Sequence, residues 1–253
     1  MKLHNDLIGM DNNNITTEFL SGDNEIIYNK HYLRKGPTWY YRDNKITYSL
    51  NENGHRCKSF NDIDFNNYVL YVGCSHTVGI GLELETTYPY LVSKKLNMDY
   101  YNLAIPGAGI DVLEYNLITW FLKIPIRPRF TFIQMPDHSR YCSFNPYLEN
   151  NNIFVESGSW TTDTAELEML VNSEEIGFFN ARKYFTYKNI DHICDSPLIK
   201  YNVAGQANTE LGIKMRRYDL ARDMQHFGIK SHQLFAEDLS KLVIDMHPSL
   251  VTV

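Results

Sequence analysis

The chain has 253 residues, 43% of them hydrophobic and 21% charged, the proportions of an ordinary globular protein. That length accommodates one α/β domain with some decoration and a substantial core. With 24 Lys and Arg against 30 Asp and Glu the net charge is −6, and no basic block could track a phosphate backbone, so nucleic acid is not an expected partner.

Residues 1–14 hold no apolar run of signal-peptide length, and no later stretch reaches membrane-spanning length. The expectation is a soluble chain without membrane insertion, cytoplasmic or part of a larger assembly. Residues 1–66 read as an irregular, Asn-rich extension packed on a main domain over 67–253. Within the extension, Lys45–Leu50 alternates as an edge strand would, and Asn53-Gly54 is a strong turn signal.

Tyr68–Val72 is a short β-branched and aromatic run closed by Gly73, the pattern of a buried strand. Thr86–Leu96 combines a Thr cap, an early Pro and apolar residues at 88, 91, 92 and 96, which predicts a helix. Tyr100–Ala104 predicts a second strand ending at the Pro106–Gly109 turn. Residues 110–123 fit a second helix stopped by Pro125 and Pro128, and Phe130–Met135 a third strand. Strands and helices alternating over short connections predict a parallel sheet with helices on both faces and right-handed crossovers. Residues 141–200 form a less regular insertion, with helix over 164–187 and a strand near Leu198–Val203. Gly228–Ile244 sets Phe235, Leu239, Leu242 and Val243 at helical spacing, an amphipathic closing helix.

Cys57, Cys74, Cys142 and Cys194 are widely spaced with no CxxC, so four reduced thiols are expected. No His/Asp/Glu cluster has ligand spacing, so neither a metal nor another cofactor is expected. The 18 tyrosines can stack on sugars but read first as core and amphipathic surface residues.

Gly73-Cys74-Ser75-His76-Thr77 follows the first strand directly, where ligands bind in an open parallel sheet. Three Gly-based motifs fail here. No Lys follows these glycines as a P-loop needs, Gly79-Ile80-Gly81-Leu82-Glu83-Leu84 lacks the third glycine of GxGxxG, and Thr77 occupies the last position of GxSxG. A serine hydroxyl is a weak nucleophile until a base takes its proton. Asp223-Met224-Gln225-His226 supplies such a base: its carboxylate can fix one imidazole nitrogen in a single turn and leave the other facing a serine. Taken singly, the commoner role of either segment is to cap a turn or helix.

Together these features resemble the GDSL/SGNH hydrolase family: a Ser after the first strand, a Gly-containing turn after the second, and Asp-x-x-His before the last helix. The resemblance covers about 68–136 and 219–243. Asp223–Glu237 is similar to the family's Asp-x-x-His-Pro-Gly ending, and Asn51–Arg56 to a lead-in segment of some members. It implies a three-layer α/β/α sandwich with a flavodoxin-like parallel sheet. It also implies hydrolysis of ester, thioester or acyl bonds on sugars, lipids or small alcohols. By position, Ser75 would be the nucleophile, His226 the general base and then acid, and Asp223 its orienting partner. The backbone N–H groups of Ser75 and Gly107 would line the oxyanion hole.

The chain departs from that family in two places. Cys74 stands where Asp is usual, and Met135-Pro136-Asp137-His138-Ser139-Arg140 replaces the Gly-x-Asn-Asp block that supplies an Asn donor. His138 falls at the Asn position as a substitute donor; losing one oxyanion donor costs about 100- to 1000-fold in turnover. His76, beside the nucleophile, and Arg140, near the cleft, are candidate substrate contacts, against the plainer readings of a loop residue and a surface ion pair. His232 reads as a structural hydrogen-bonding residue. The expectation is a cofactor-free serine hydrolase acting on a small-molecule or glycan ester, a short acyl group on a glycan by the family's habit. The alternatives are a binding or structural protein that kept the fold, which the missing Asn favours, and a transferase passing the acyl group to another acceptor.

Overall fold

The computed structural model describes residues 7–10, 13–136, 140–144, 154–157, 184, 186, 188–204 and 212–248. The amino-terminal segment is more regular than its composition predicts. Thr16–Thr17 (β1) pairs antiparallel with Tyr48–Ser49 (β2), and between them runs a ten-residue helix, Glu25–Arg34 (α1). Asn24 caps that helix through its side chain, which accepts the N–H of Ile27 at 2.9 Å. No residue of α1 is buried, so it lacks the apolar stripe from which a helix is read in sequence.

The domain is built on Tyr68–Val72 (β3), buried at every position, as the β-branched and aromatic run predicts. The short helix Ser75–Val78 (α2), then Tyr88–Lys95 (α3), leads to Asp99–Asn102 (β4); Ile110–Lys123 (α4) leads to Thr131–Gln134 (β5). Thr87 holds the first position before α3, but its hydroxyl turns back to the Leu84 carbonyl and caps no helical N–H. An antiparallel pair, Tyr141–Phe144 (β6) and Phe154–Ser157 (β7), precedes Leu198–Val203 (β8) and Lys214–Met215 (β9). The helix expected over 164–187 lies almost wholly outside the described residues, of which 184, 186 and 188–193 are helical. The closing helix is Ile229–Met246 (α5).

The sheet order is β4-β3-β5-β8-β9, every neighbour parallel, which is the flavodoxin-like order with its switch point between β3 and β5. Side chains alternate across a strand, and the aromatic contacts show both faces covered. Tyr68 faces Trp120 of α4 with ring centroids 6.3 Å apart, whereas Tyr71 faces Tyr88 of α3 at 6.2 Å. Tyr88 also meets Phe235 of α5 at 5.2 Å, so α3 and α5 form one layer and α4 the other. This is the three-layer α/β/α arrangement.

The segment before β3 contributes to both cores. Phe60 and Phe65 close over Trp120, and Asn116 of α4 clasps the backbone of Ile8 through its N–H (2.9 Å) and carbonyl (2.8 Å). A second apolar cluster joins Ile46 and Tyr48 to Val78, Ile80, Leu82, Ala104 and Ala221, beneath the loops at the carboxyl ends of the strands. Trp120 is wholly buried, donates to the Tyr68 hydroxyl at 3.3 Å, and packs tilted against Tyr101 at 4.7 Å. Trp120→Ala is expected to cost about 3–5 kcal/mol of unfolding free energy. Urea titration should show a lowered midpoint at an unchanged slope.

Candidate active site

The Ser75 turn is set by close approach. A Cβ on Gly73 would lie 2.1 Å from Thr77 Oγ1 and 2.8 Å from Gln134 Cβ, so only glycine lets the chain leave β3 here. Gln134, buried at the end of β5, accepts the Cys74 N–H at 3.2 Å and the Thr77 hydroxyl at 2.8 Å. Its amide group meets Cys74 Sγ at 3.0 Å, so the cysteine at the usual Asp position is a packed, partnered residue. Tyr88 donates to Thr77 Oγ1 at 2.7 Å and meets the Tyr201 hydroxyl at 2.6 Å, while Asn102 donates to the Thr77 carbonyl at 3.0 Å. Side chains from β4, β5 and β8 thus fix one turn.

Ser75 opens α2, so its N–H has no partner within the helix. Among the described residues, the N–H groups of Ser75 and Gly107 donate to no protein acceptor. Gly107 has φ 83°, a left-handed turn conformation suited to glycine. The Ser75 hydroxyl contacts Cys74 Sγ at 3.9 Å.

Asp223 is wholly buried. One carboxylate oxygen accepts the N–H groups of Gln225 and His226, each at 3.1 Å, and the other bonds His226 Nδ1. Met224 turns the chain with φ 60°. His226 keeps 17% of its side chain exposed, and its Nε2 bonds no described residue. The His226 ring lies 5.0 Å from that of His76, the residue next to Ser75, and His76 also packs on Phe227 at 4.7 Å. The structure therefore joins Asp223 to His226 and sets His226 against the Ser75 turn. Among the described residues no hydrogen bond links Ser75 Oγ to His226.

What holds the two loops together was not legible in sequence. Gly81, at φ 78°, lets them touch: a Cβ there would lie 2.7 Å from Ala221 Cβ and 3.3 Å from Asp223 Oδ1, and the Gly81 carbonyl accepts the Arg222 N–H at 3.1 Å. The Arg222 guanidinium turns inward to Asp23, with Nε 3.0 Å and Nη2 2.8 Å from Oδ2. Tyr48 donates to the same carboxylate at 2.5 Å and accepts the Gly81 N–H at 2.7 Å. Neighbouring Gly22 approaches His226 itself, since a Cβ at 22 would lie 3.8 Å from Cε1. Arg56, from the lead-in segment, donates to the carbonyls of Gly79 and Leu82 at 2.7 Å each. The one sequence signal for these residues is their polarity where burial is expected.

Burial keeps three imidazoles neutral. His55 is driven down to about 4 and His232 to about 3 by desolvation, and His76 well below its ordinary value by desolvation and then by His226. His55 sits between the Ile8 carbonyl and the Tyr101 hydroxyl, each at 3.1 Å, and His232 accepts the Tyr88 N–H at 3.0 Å. Arg140 is half-buried, and its charge further lowers His76; His138 lies outside the described residues. Burial also pushes the Cys57 and Cys194 thiols up to about 12. Among the described residues no group of three His, Cys, Asp or Glu could hold a metal ion, and no helix is long and apolar enough to cross a membrane.

Solved structures similar to this chain include carbohydrate esterases. An acetyl xylan esterase from the rumen bacterium Butyrivibrio proteoclasticus is 13% identical over 72% of this chain and 64% of its own, with a TM-score of 0.45. A family 2 carbohydrate esterase with a carbohydrate-binding domain from Corynascus thermopiles (Myceliophthora fergusii) is 13% identical over 71% and 66%, with a TM-score of 0.44. A G-D-S-L family protein from Desulfitobacterium hafniense is 12% identical over 70% of this chain and 99% of its own, with a TM-score of 0.38. The chain spans just under two thirds of the length of the first two. No protein-family model and no curated sequence matches it. With TM-scores below 0.5, these likenesses add nothing to what the strand order and side-chain contacts establish.

The Asp23–Arg222 pair is buried on both sides, so removing one partner strands the other charge. Asp23→Asn is expected to lose about 3–5 kcal/mol of stability, and the Asp23→Leu, Arg222→Met double variant to recover most of it by apolar packing. Chemical denaturation of the three proteins checks this. The buried imidazoles set a pH dependence. Their folded values lie below the ordinary 6.5, so below that pH the unfolded chain binds more protons and stability falls as the solution is acidified toward 4. The slope is about 1.4 kcal/mol per pH unit for each ring. Urea midpoints measured from pH 7.5 to 5 should decline, and His232→Gln should flatten the decline.

Proposed function

We propose that this chain is a serine hydrolase that cleaves an ester or acyl bond, with Ser75 as nucleophile and the Asp223–His226 pair as its activator. The observation that carries the reading is the buried Asp223 carboxylate on His226 Nδ1, beside the turn that bears Ser75, with no described residue bonded to Nε2. A carboxylate so placed holds the imidazole in the tautomer that accepts a proton at Nε2 and stabilises the imidazolium that results.

In the reaction, Ser75 Oγ exchanges its contact with Cys74 Sγ for one with His226 Nε2 and attacks the carbonyl carbon of the ester. His226 takes the hydroxyl proton. The carbonyl oxygen becomes an oxyanion, which the N–H groups of Ser75 and Gly107 stabilise. As the tetrahedral intermediate collapses, His226 gives the proton to the departing alcohol. Water then attacks the acyl-serine with His226 again as base, releasing the acid and restoring Ser75. Counted along the sequence, His138 falls at the position of the family's third oxyanion donor, and a short acyl group on a glycan is the substrate class that the resemblance implies.

Two features favour a second reading, a binding protein on the same fold: the absent Asn, and the Ser75 hydroxyl resting on Cys74 rather than on His226. One experiment separates them. A fluorophosphonate probe and p-nitrophenyl acetate are applied to the folded protein, its Ser75→Ala variant and its Asp223→Asn variant. The hydrolase reading expects stoichiometric labelling at Ser75, loss of both labelling and turnover in Ser75→Ala, and a drop on the order of 10³–10⁴ in kcat for Asp223→Asn. Full activity in Ser75→Ala would reject the assignment, and absence of labelling in the folded protein would favour the binding protein.

A further inference from the structure

An open groove of about 770 Å³ lies on the flank of the Asp223–His226 loop, within the size range of small-ligand sites. It borders that loop through Met224; neither Asp223 nor His226 nor Ser75 lines it. Its aromatic wall comes from the amino-terminal segment and the loop before α5. Tyr40 and Tyr218 are 51% and 53% exposed and offer uncovered ring surface. Behind them the wall is held in place: Trp39 stacks on Tyr28 at 5.8 Å, and Tyr41 packs edge-on against Trp39 at 5.7 Å and Tyr40 at 5.2 Å.

Three cations, Lys35, Arg217 and Lys230, line the same groove, and among the described residues none has an ion-pair partner. The one carboxylate lining it, Asp219, keeps its charge but has its oxygens engaged by the first turn of α5. It accepts the N–H of Lys230 at 2.9 Å, the N–H of Ser231 at 2.9 Å and the Ser231 hydroxyl at 2.6 Å, capping α5. A chain with a net charge of −6 thus gathers three cations against one carboxylate beside exposed tyrosine faces, with Lys230 Nζ 6.0 Å from the Tyr218 ring centroid.

We propose that this groove binds an acidic saccharide, with sugar ring faces on Tyr40 and Tyr218 and carboxylates among Lys35, Arg217 and Lys230. Aromatic faces hold the C–H side of a pyranose, and the excess of cations selects the charged sugar over a neutral one. An apolar ligand would leave those cations desolvated without a partner. A nucleic acid strand needs a longer basic track than three residues on an acidic protein. The proposal rests on the hydrolase reading only in taking the ligand to be a saccharide; the groove would then hold sugar units remote from the bond being cut.

The test uses trigalacturonate without acyl groups, which binds without being a substrate, titrated calorimetrically into the wild-type chain. Xylotriose and a short oligothymidylate are the neutral and polyanionic comparisons. The expected result is saturable trigalacturonate binding at least tenfold tighter than xylotriose and weakened by salt. Binding should fall at least tenfold in the Arg217→Gln, Lys230→Gln double variant and in Tyr218→Ala, with p-nitrophenyl acetate turnover unchanged in both. Equal affinity for the two sugars, tighter binding of the oligothymidylate, undiminished binding in the variants, or no binding at millimolar concentration would each overturn the proposal. Turnover and binding are read separately, so a protein that binds trigalacturonate but hydrolyses nothing would refute the hydrolase reading alone.

Discussion

The site depends on a buried ion pair between residues far apart in the chain. Asp23 and Arg222 are almost fully withdrawn from water, and their attraction must offset the desolvation of both charges. In such pairs the net gain in stability is small, while the cost of a wrong partner is large. The pair therefore acts as a register device. Arg222 meets Asp23 with the loop before α5 laid against Gly81, and that same placement sets Asp223 against Gly81. Tyr48 joins the two halves by donating to Asp23 and accepting from Gly81.

This alters the standing of the amino-terminal segment. Its residues bring Gly22 to His226, Arg56 to the carbonyls of the turn after Ser75, and His55 to the Tyr101 hydroxyl. Arg56 and His55 are polar side chains removed from water, and the Arg56 Nη groups and both His55 nitrogens have partners there. The turn bearing Ser75 shows the same principle from the other side, where Gln134, Thr77, Tyr88 and Tyr201 form a continuous chain of hydrogen bonds inside the apolar core. Such a chain specifies one loop conformation, since any other leaves several buried groups unpaired.

What could be read from the sequence follows from the range over which each force acts. Strands β3, β4, β5 and β8 and helices α3, α4 and α5 were legible because apolar period and punctuation by Gly and Pro are local. The contact between Asp223 and His226 was legible for the same reason, being three residues apart within one turn. Helix α1 was not, because with no buried residue it carries no apolar period. The partners of Arg222, Arg56 and Gln134 were not legible either. Each bond spans a separation that sequence spacing does not constrain, and a buried Arg announces itself only through its environment. Gly81 stood out in sequence only as a failed dinucleotide motif; its role is to permit contact with a loop some 140 residues later, a separation visible only in three dimensions.

The loop from Asp219 to Gly228 divides its side chains by direction. Arg222 and Asp223 turn inward to the clamp and the imidazole, Met224 turns out to the aromatic and cationic groove, and His226 faces the Ser75 turn. Its two strands are tied across by the Gly228 N–H on the Asp219 carbonyl at 3.0 Å and the Ala221 N–H on the His226 carbonyl at 2.9 Å. A loop braced in this way transmits little movement from one side to the other. Contacts made in the groove would therefore strengthen binding of the substrate and of the transition state alike. Interactions of that kind lower KM and leave kcat unchanged. On the proposed reading the two sides of the loop would have separable duties, one choosing the molecule and the other breaking the bond.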